Sequence, residues 1–81
     1  MKIPRDISSD NLIQVLKKYD YKITNQTGSH IRLTSNIMGK EHNITIPKHK
    51  DLKIGTLNNI LKDISRYLEK DKDYLIKNLF G

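Results

Sequence analysis

The chain has 81 residues, no cysteine, and 15 lysines and arginines against 9 acidic residues, which gives a formal charge of +6. Without cysteine it forms no disulfide, Cys-based zinc site or thiolate nucleophile, and no apolar run approaches the ~20 residues of a membrane helix. We expect one domain over residues 1–81, no signal peptide and a cytoplasmic location. So much positive charge in a small domain favours a polyanionic partner, above all nucleic acid.

The first predicted element is an amphipathic helix in the segment SSDNLIQVLKKY. Ser8 or Ser9 can cap its N-terminus, and Asp20 then turns the chain towards the first strand. Apolar residues recur at the i, i+3, i+4, i+7 spacing of a helix face. They are Leu12, Val15, Leu16 and Tyr19.

Three strands with alternating apolar and polar residues are predicted next, in YKITNQ, SHIRLTS and HNITIP. Asn36 and Gly39 are the expected turn residues between the second and third strands, and Pro47 ends the third because proline cannot donate to a ladder. The apolar sheet face is expected to comprise Ile23, Ile31, Leu33, Ile44 and Ile46. The open face is expected to carry Lys22, Thr24, His30, Arg32, Thr34, Asn43 and Thr45.

A second amphipathic helix is predicted in TLNNILKDISRYL, with Thr56 as its N-cap. The rest of the chain predicts a further helical turn or two, either continuous with this helix or separated from it near residues 69–71. The expected fold class is α+β, with two helices on one face of a three-stranded antiparallel sheet. No base-stacking platform is predicted, because the following aromatic residues fall on expected apolar faces: Tyr21, Tyr67, Tyr74 and Phe80.

His30 is the residue that best suits catalysis. Strand alternation places it beside Arg32 on the open face, just after Gly28, which can adopt positive φ or let a phosphate approach closely. Histidine accepts and returns a proton near neutral pH, as deprotonation of a ribose 2′-hydroxyl requires. The residues alone leave open a solvated strand position without chemistry. His42 is expected on the core side or at the frayed start of the third strand. Three scattered histidines without cysteine predict no metal or cofactor.

The segment PKHKDLKIGTL is the second candidate site. Lys48, Lys50 and Lys53 precede a helix whose first backbone N–H groups, near Gly55 and Thr56, form a general anion site. The segment can hold an RNA phosphate, or it can be a capped helix with solvated lysines. It is not a P-loop, because it contains one glycine and no lysine follows in the required pattern.

Two segments resemble one family. TGSHIRL resembles the glycine-serine-histidine strand motif of HicA-type toxins, the mRNA interferases of type II toxin–antitoxin systems. ITIPKHKDLKIGTLNNILKDI is similar to the segment that follows the third strand in that family, and SSDNLIQVLKKYDYKI to its first helix and strand. The resemblance covers about residues 8–66 and leaves residues 67–81 as a C-terminal extension. The sequence departs from the family at two places. The residues IRL follow the motif, where an aromatic residue or a second histidine is frequent, and Asp20 stands where a glycine is common.

The resemblance implies a double-stranded-RNA-binding-like α-β-β-β-α fold and ribosome-independent mRNA cleavage. It implies that His30 is catalytic, and that a HicB-like antitoxin covers the His30 face of a monomeric toxin. Together with the charge pattern, it predicts RNA contacts by Gly28, Ser29, Arg32, Lys48, His49, Lys50, Lys53 and Thr56.

Two other functions fit the same charge and architecture. One is a non-catalytic RNA-binding domain of the same fold. The other is an interaction domain whose open sheet face binds only a protein, and its binding would change little with salt, whereas phosphate-driven binding weakens steeply.

Overall fold

The computed structural model describes residues 3–81 as a helix, three strands and two further helices. The elements are α1 (Ser9–Leu16, extended by a 3₁₀ turn over Lys17–Tyr19), β1 (Lys22–Thr27), β2 (His30–Ser35), β3 (His42–Pro47), α2 (Ile54–Leu68) and α3 (Lys72–Phe80). The predicted α+β order is confirmed, and α3 is a separate additional helix. Among these residues, no helix has the length and apolar character needed to cross a membrane.

The start of α1 is fixed by a reciprocal cap. The Ser8 hydroxyl accepts from the Asn11 N–H at 3.0 Å, and the Asn11 side-chain oxygen accepts from the Ser8 N–H at 3.2 Å. Beyond the 3₁₀ turn, Asp20 adopts a left-handed conformation with φ of 66°. Aspartate tolerates this region better than most residues, so the chain makes the turn without the glycine common in the family.

The three strands form one antiparallel sheet in the order β1-β2-β3, so β1 and β3 are its edges. β2 pairs with β3 in an unbroken register that begins with His30 opposite Pro47. β1 pairs with β2 through a β-bulge between Ile23 and Asn25. The start of β2 and the end of β3 therefore lie side by side, with the β1–β2 turn next to them.

The helices cover the apolar face of β2 and β3, and the buried residues form one continuous cluster. Its sheet members are Ile31, Leu33, Ile44 and Ile46, as predicted. The prediction for Ile23 is correct for its face but wrong for its burial beneath the helices. It pairs with Leu33 and belongs to the same face, yet it is 53% exposed. Within the described residues no helix packs closely over β1, all six of whose residues are exposed.

α2 begins at Ile54, two residues before the predicted start. Lys53 is the N-cap and has extended backbone, and the Leu57 N–H donates to its carbonyl at 2.9 Å. Thr56 therefore lies inside the first turn, and its prediction as the N-cap is wrong. Within the described part of the chain no side chain caps this end of α2, so its first N–H groups have no side-chain acceptor from these residues.

α2 and α3 are separated at Glu69, which takes a left-handed conformation with φ of 56°. Leu75, Ile76 and Leu79 are buried on the inner side of α3. Tyr74 was predicted on an apolar face but is 52% exposed. It lies on the outer side of α3, where the Lys70 ammonium is 5.2 Å from its ring centre.

Candidate functional site

The β1–β2 turn places His30 at a corner of the sheet. Thr27 pairs with His30, so only Gly28 and Ser29 connect the two strands. Two-residue hairpin turns of this kind require positive φ, and Gly28 has φ of 51°. His30 is the first residue of β2 and its side chain is exposed. The turn at Gly28 and Ser29 therefore places His30 on the open face of the sheet, as strand alternation predicts.

Replacement of Gly28 by alanine is expected to destabilise the domain by about 1–2 kcal/mol, the strain of a left-handed alanine. Among residues 3–81, no atom outside the two adjacent residues lies within 4 Å of a Cβ built at this position, so steric overlap adds nothing. Gly28→Asn is the matched control, because asparagine tolerates this region and should lose less. Urea unfolding measures both. Equal stability of the alanine variant and the parent would contradict this account of the turn.

The His30 ring is open to solvent and, among residues 3–81, has one polar side chain close to it. The Ser29 hydroxyl lies 3.4 Å from His30 Nδ1, a long contact. On the adjoining strand end, the Lys48 N–H donates to the Ser29 carbonyl at 2.7 Å. The start of the basic loop is thereby joined to the glycine-serine-histidine turn. Within residues 3–81, no carboxylate forms an ion pair with His30.

The open sheet face is as polar as predicted. Lys22, Thr24, Arg32 and Thr45 are exposed, and Thr34 and Asn43 are half-buried. Hydrogen bonds cross all three strands: the Thr24 and Thr34 hydroxyls are 2.9 Å apart, and Thr34 donates to Asn43 Oδ1 at 2.5 Å. These bonds fix the polar side chains beside Arg32. The face is therefore a rigid, hydrophilic surface with an exposed histidine at one end.

The loop over residues 48–53 is tied to the N-terminus of α1. The His49 carbonyl accepts from the Ser9 N–H at 2.9 Å and from its hydroxyl at 3.2 Å. Lys48, His49 and Lys50 line a shallow groove beside the start of α1, and all three side chains are exposed. The backbone of this basic segment is thus held in place while its charges face solvent.

The predicted site residues do not all come together. Gly28, Ser29, His30 and Lys48 are neighbours, and Arg32 lies two residues along the same face from His30. His49 and Lys50 belong to the groove beside α1. The remaining two lie at the start of α2: Lys53 shares a small groove with Arg5 and Asp6, and Thr56 is half-buried in the first turn.

A second cluster, around His42, was not predicted from the sequence. Its Nδ1 is 2.7 Å from the Tyr21 hydroxyl, its Nε2 is 3.3 Å from Asp63 Oδ1, and its ring stacks on Tyr67 at 4.5 Å. Burial, and then the nearby Tyr67 and Asp63, raise the pKa of Tyr21 above its ordinary value. Tyr21 therefore stays protonated, and its hydroxyl shares a hydrogen bond with His42 Nδ1.

The His42 cluster is separate from the His30 corner. His42 begins β3 and Pro47 ends it, so His42 lies roughly 16 Å along the strand from the level of His30. Both ring nitrogens and one ring face of His42 contact other side chains, which is typical of a structural role. Its predicted position on the core side is confirmed. In the sequence, only the alternation of His42 with Ile44 indicated a position on the core side. Nothing in the sequence places Asp63 beside β3. Within residues 3–81, no group of three or more potential metal ligands occurs.

The fold and the exposed face define a small α+β domain with one uncovered, basic sheet surface. A family model described as the HicA toxin of bacterial toxin–antitoxin systems matches residues 9–65. The chain therefore belongs to the HicA family and is the toxin of a toxin–antitoxin system. Comparisons with curated proteins and with solved structures gave no match.

Proposed function

We propose that this toxin is an endoribonuclease that cleaves mRNA independently of the ribosome, with His30 as its catalytic residue. The observation that carries the proposal is the exposed His30 ring at the corner of a basic face, joined through Ser29 to Lys48. A charged surface alone would support binding. An open imidazole at the edge of that surface adds a group that can move a proton.

In the proposed reaction, His30 removes the proton of a ribose 2′-hydroxyl, and that oxygen attacks the adjacent phosphorus. The P–O5′ bond breaks, and the departing O5′ takes a proton from the solvent that reaches this exposed site. Arg32 and Lys48 offset the negative charge that grows on the non-bridging oxygens. General acid–base catalysis of this kind contributes ~10²- to 10⁴-fold.

RNA binding in this proposal follows the exposed cations. Arg32, Lys48 and Lys50 hold phosphates near the scissile bond, while Ser29 and His49 line the path between them. Gly28 has no side chain, and open space surrounds the position of its missing Cβ, so RNA backbone can approach the turn. Lys53 and Thr56, at the start of α2, contact only RNA that extends past the loop. A HicB-like antitoxin that covers this face would inhibit the toxin by occupying the same surface.

A non-catalytic RNA-binding domain is the second candidate function. It is favoured by one observation, the lack of a carboxylate ion pair at His30 within residues 3–81, because many catalytic histidines are oriented by an acidic partner. A binding domain would saturate RNA and leave it intact. The proposed nuclease cleaves it.

RNA in which every 2′-hydroxyl is methylated tests the chemistry directly. The toxin is expected to bind this RNA through its phosphates but to leave it intact, because the attacking oxygen is blocked. Unmethylated RNA of the same sequence is the control and should be cleaved. Gel electrophoresis after incubation at saturating protein measures both substrates. Cleavage of the methylated RNA would contradict the proposed nucleophile, and intact RNA in both samples would favour the binding domain.

A further inference from the structure

The free edge of the sheet at β1 has an apolar surface that nothing in the described chain covers. Ile23 faces the core side of the sheet but is 53% exposed. A groove of about 600 Å³ runs between β1 and α1, with Ile13, Tyr21 and Ile23 among its lining residues. The alternation of β1 thus predicts that Ile23 is buried, but no helix of the described chain covers it. A position that strand alternation assigns to the core but that is exposed in the fold often belongs to a functional surface.

The backbone of β1 is also available for pairing. Among residues 3–81 its only neighbour in the sheet is β2, so the N–H and C=O groups on its other side have no strand partner there. Edge strands are commonly protected by charge, proline or a bulge. Residues 23–27 contain neither charge nor proline. The exposed Lys22 at the start of the strand and the bulge between Ile23 and Asn25 are therefore its protection, and the strand beyond the bulge is regular.

We propose that this edge binds an extended, acidic segment of the antitoxin, which pairs with β1 as a fourth strand and covers Ile23 with an apolar side chain. Strand addition of this kind combines backbone hydrogen bonds with a side-chain pocket. A partner exists because the chain is the toxin of a toxin–antitoxin system. The formal charge of +6 favours an acidic partner and opposes a second copy of this chain. The proposal does not depend on RNA cleavage.

Such an anchor would place the antitoxin beside the candidate active site. Neighbouring strands lie about 4.8 Å apart, so a strand paired with β1 runs roughly 10 Å from β2. The Thr27 end of β1 pairs with His30. An antitoxin segment paired with β1 can therefore continue directly onto the open face. The edge would then bind the antitoxin, and cover of the open face would inhibit the toxin.

Hydrogen–deuterium exchange tests backbone pairing without any change at the edge itself. The probe is the antitoxin encoded beside the gene of this chain, mixed with the His30→Ala toxin so that RNA chemistry plays no part. The amides of residues 22–27 are expected to exchange more slowly in the complex than in the free toxin. Unchanged exchange across residues 22–27 in a formed complex would overturn the proposal.

Two variants with the same added charge test the apolar contact. Ile23→Asp is expected to weaken antitoxin binding at least about 10-fold, as loss of a central apolar contact does. Tyr74→Asp is the control, since Tyr74 is 52% exposed on α3, and it should change binding less than about twofold. Circular dichroism confirms that each variant is folded. Equal binding by both variants would overturn the proposal, as would an Ile23-dependent homodimer, which would assign the edge to a second copy.

Discussion

Replacement of His30 by alanine is expected to slow RNA cleavage about 10²- to 10⁴-fold and to abolish growth inhibition in cells that express the toxin. This is the usual contribution of a general acid–base group and corresponds to about 3–5 kcal/mol of activation free energy. His30 is exposed and outside the buried cluster, so its removal takes nothing from the core. The variant should therefore unfold at the same temperature as the parent and still bind RNA.

Asn59→Ala provides the control for this experiment. Asn59 is an exposed residue of α2, on the helical side of the molecule, and it has no place in the proposed site. The control should cleave RNA and inhibit growth as the parent does. A His30→Ala protein that retains the parent's rate would remove the histidine from the mechanism, whatever the variant's affinity for RNA.

Replacement of Leu75 by alanine is expected to cost about 2–5 kcal/mol of unfolding free energy, the range for a fully buried leucine. Leu75 has 0% exposure and joins α3 to the common core. For a domain of this size, such a loss lowers the melting temperature by roughly 8 °C or more. α3 lies beyond the residues matched by the family model, 9–65. The prediction is that this extension is nonetheless an integral part of the fold.

Tyr74→Ala is the matched control for α3, because it removes a larger side chain from the adjacent position. Tyr74 is half-exposed and outside the core, so its loss should change stability by less than about 1 kcal/mol. Thermal unfolding followed by circular dichroism compares the two variants. Similar melting temperatures for both would show that α3 does not pack as described.

The sequence predicted β2 and β3 well because each has one buried and one polar face. Alternation alone assigned Ile31 and Leu33 to the core. For β1 the same pattern gave the correct side of Ile23 and the wrong burial, since alternation says which way a residue faces and not whether a helix lies over it. The sequence did not decide whether α2 and α3 are separate helices. Glu69 adopts the left-handed conformation that separates them, and no glycine in the sequence indicates this turn.

The candidate site was predicted in part for similar reasons. Strand alternation was enough to place His30 beside Arg32 on the open face, and the antiparallel order explains why Lys48 follows the strand end opposite it. The path of the loop was not readable from the sequence. It depends on bonds from Ser9 to the His49 carbonyl, which hold the loop against α1 and set Lys53 apart at the start of α2.

The most direct test of the account is incubation of ribosome-free mRNA with the purified toxin and, in parallel, with the His30→Ala protein, at concentrations that saturate binding to each. Gel mobility measures the bound fraction, and denaturing electrophoresis measures the fragments. Both proteins are expected to bind the RNA, and only the parent is expected to fragment it. Intact RNA bound by the parent toxin, or equal fragmentation by the two proteins, would contradict this expectation.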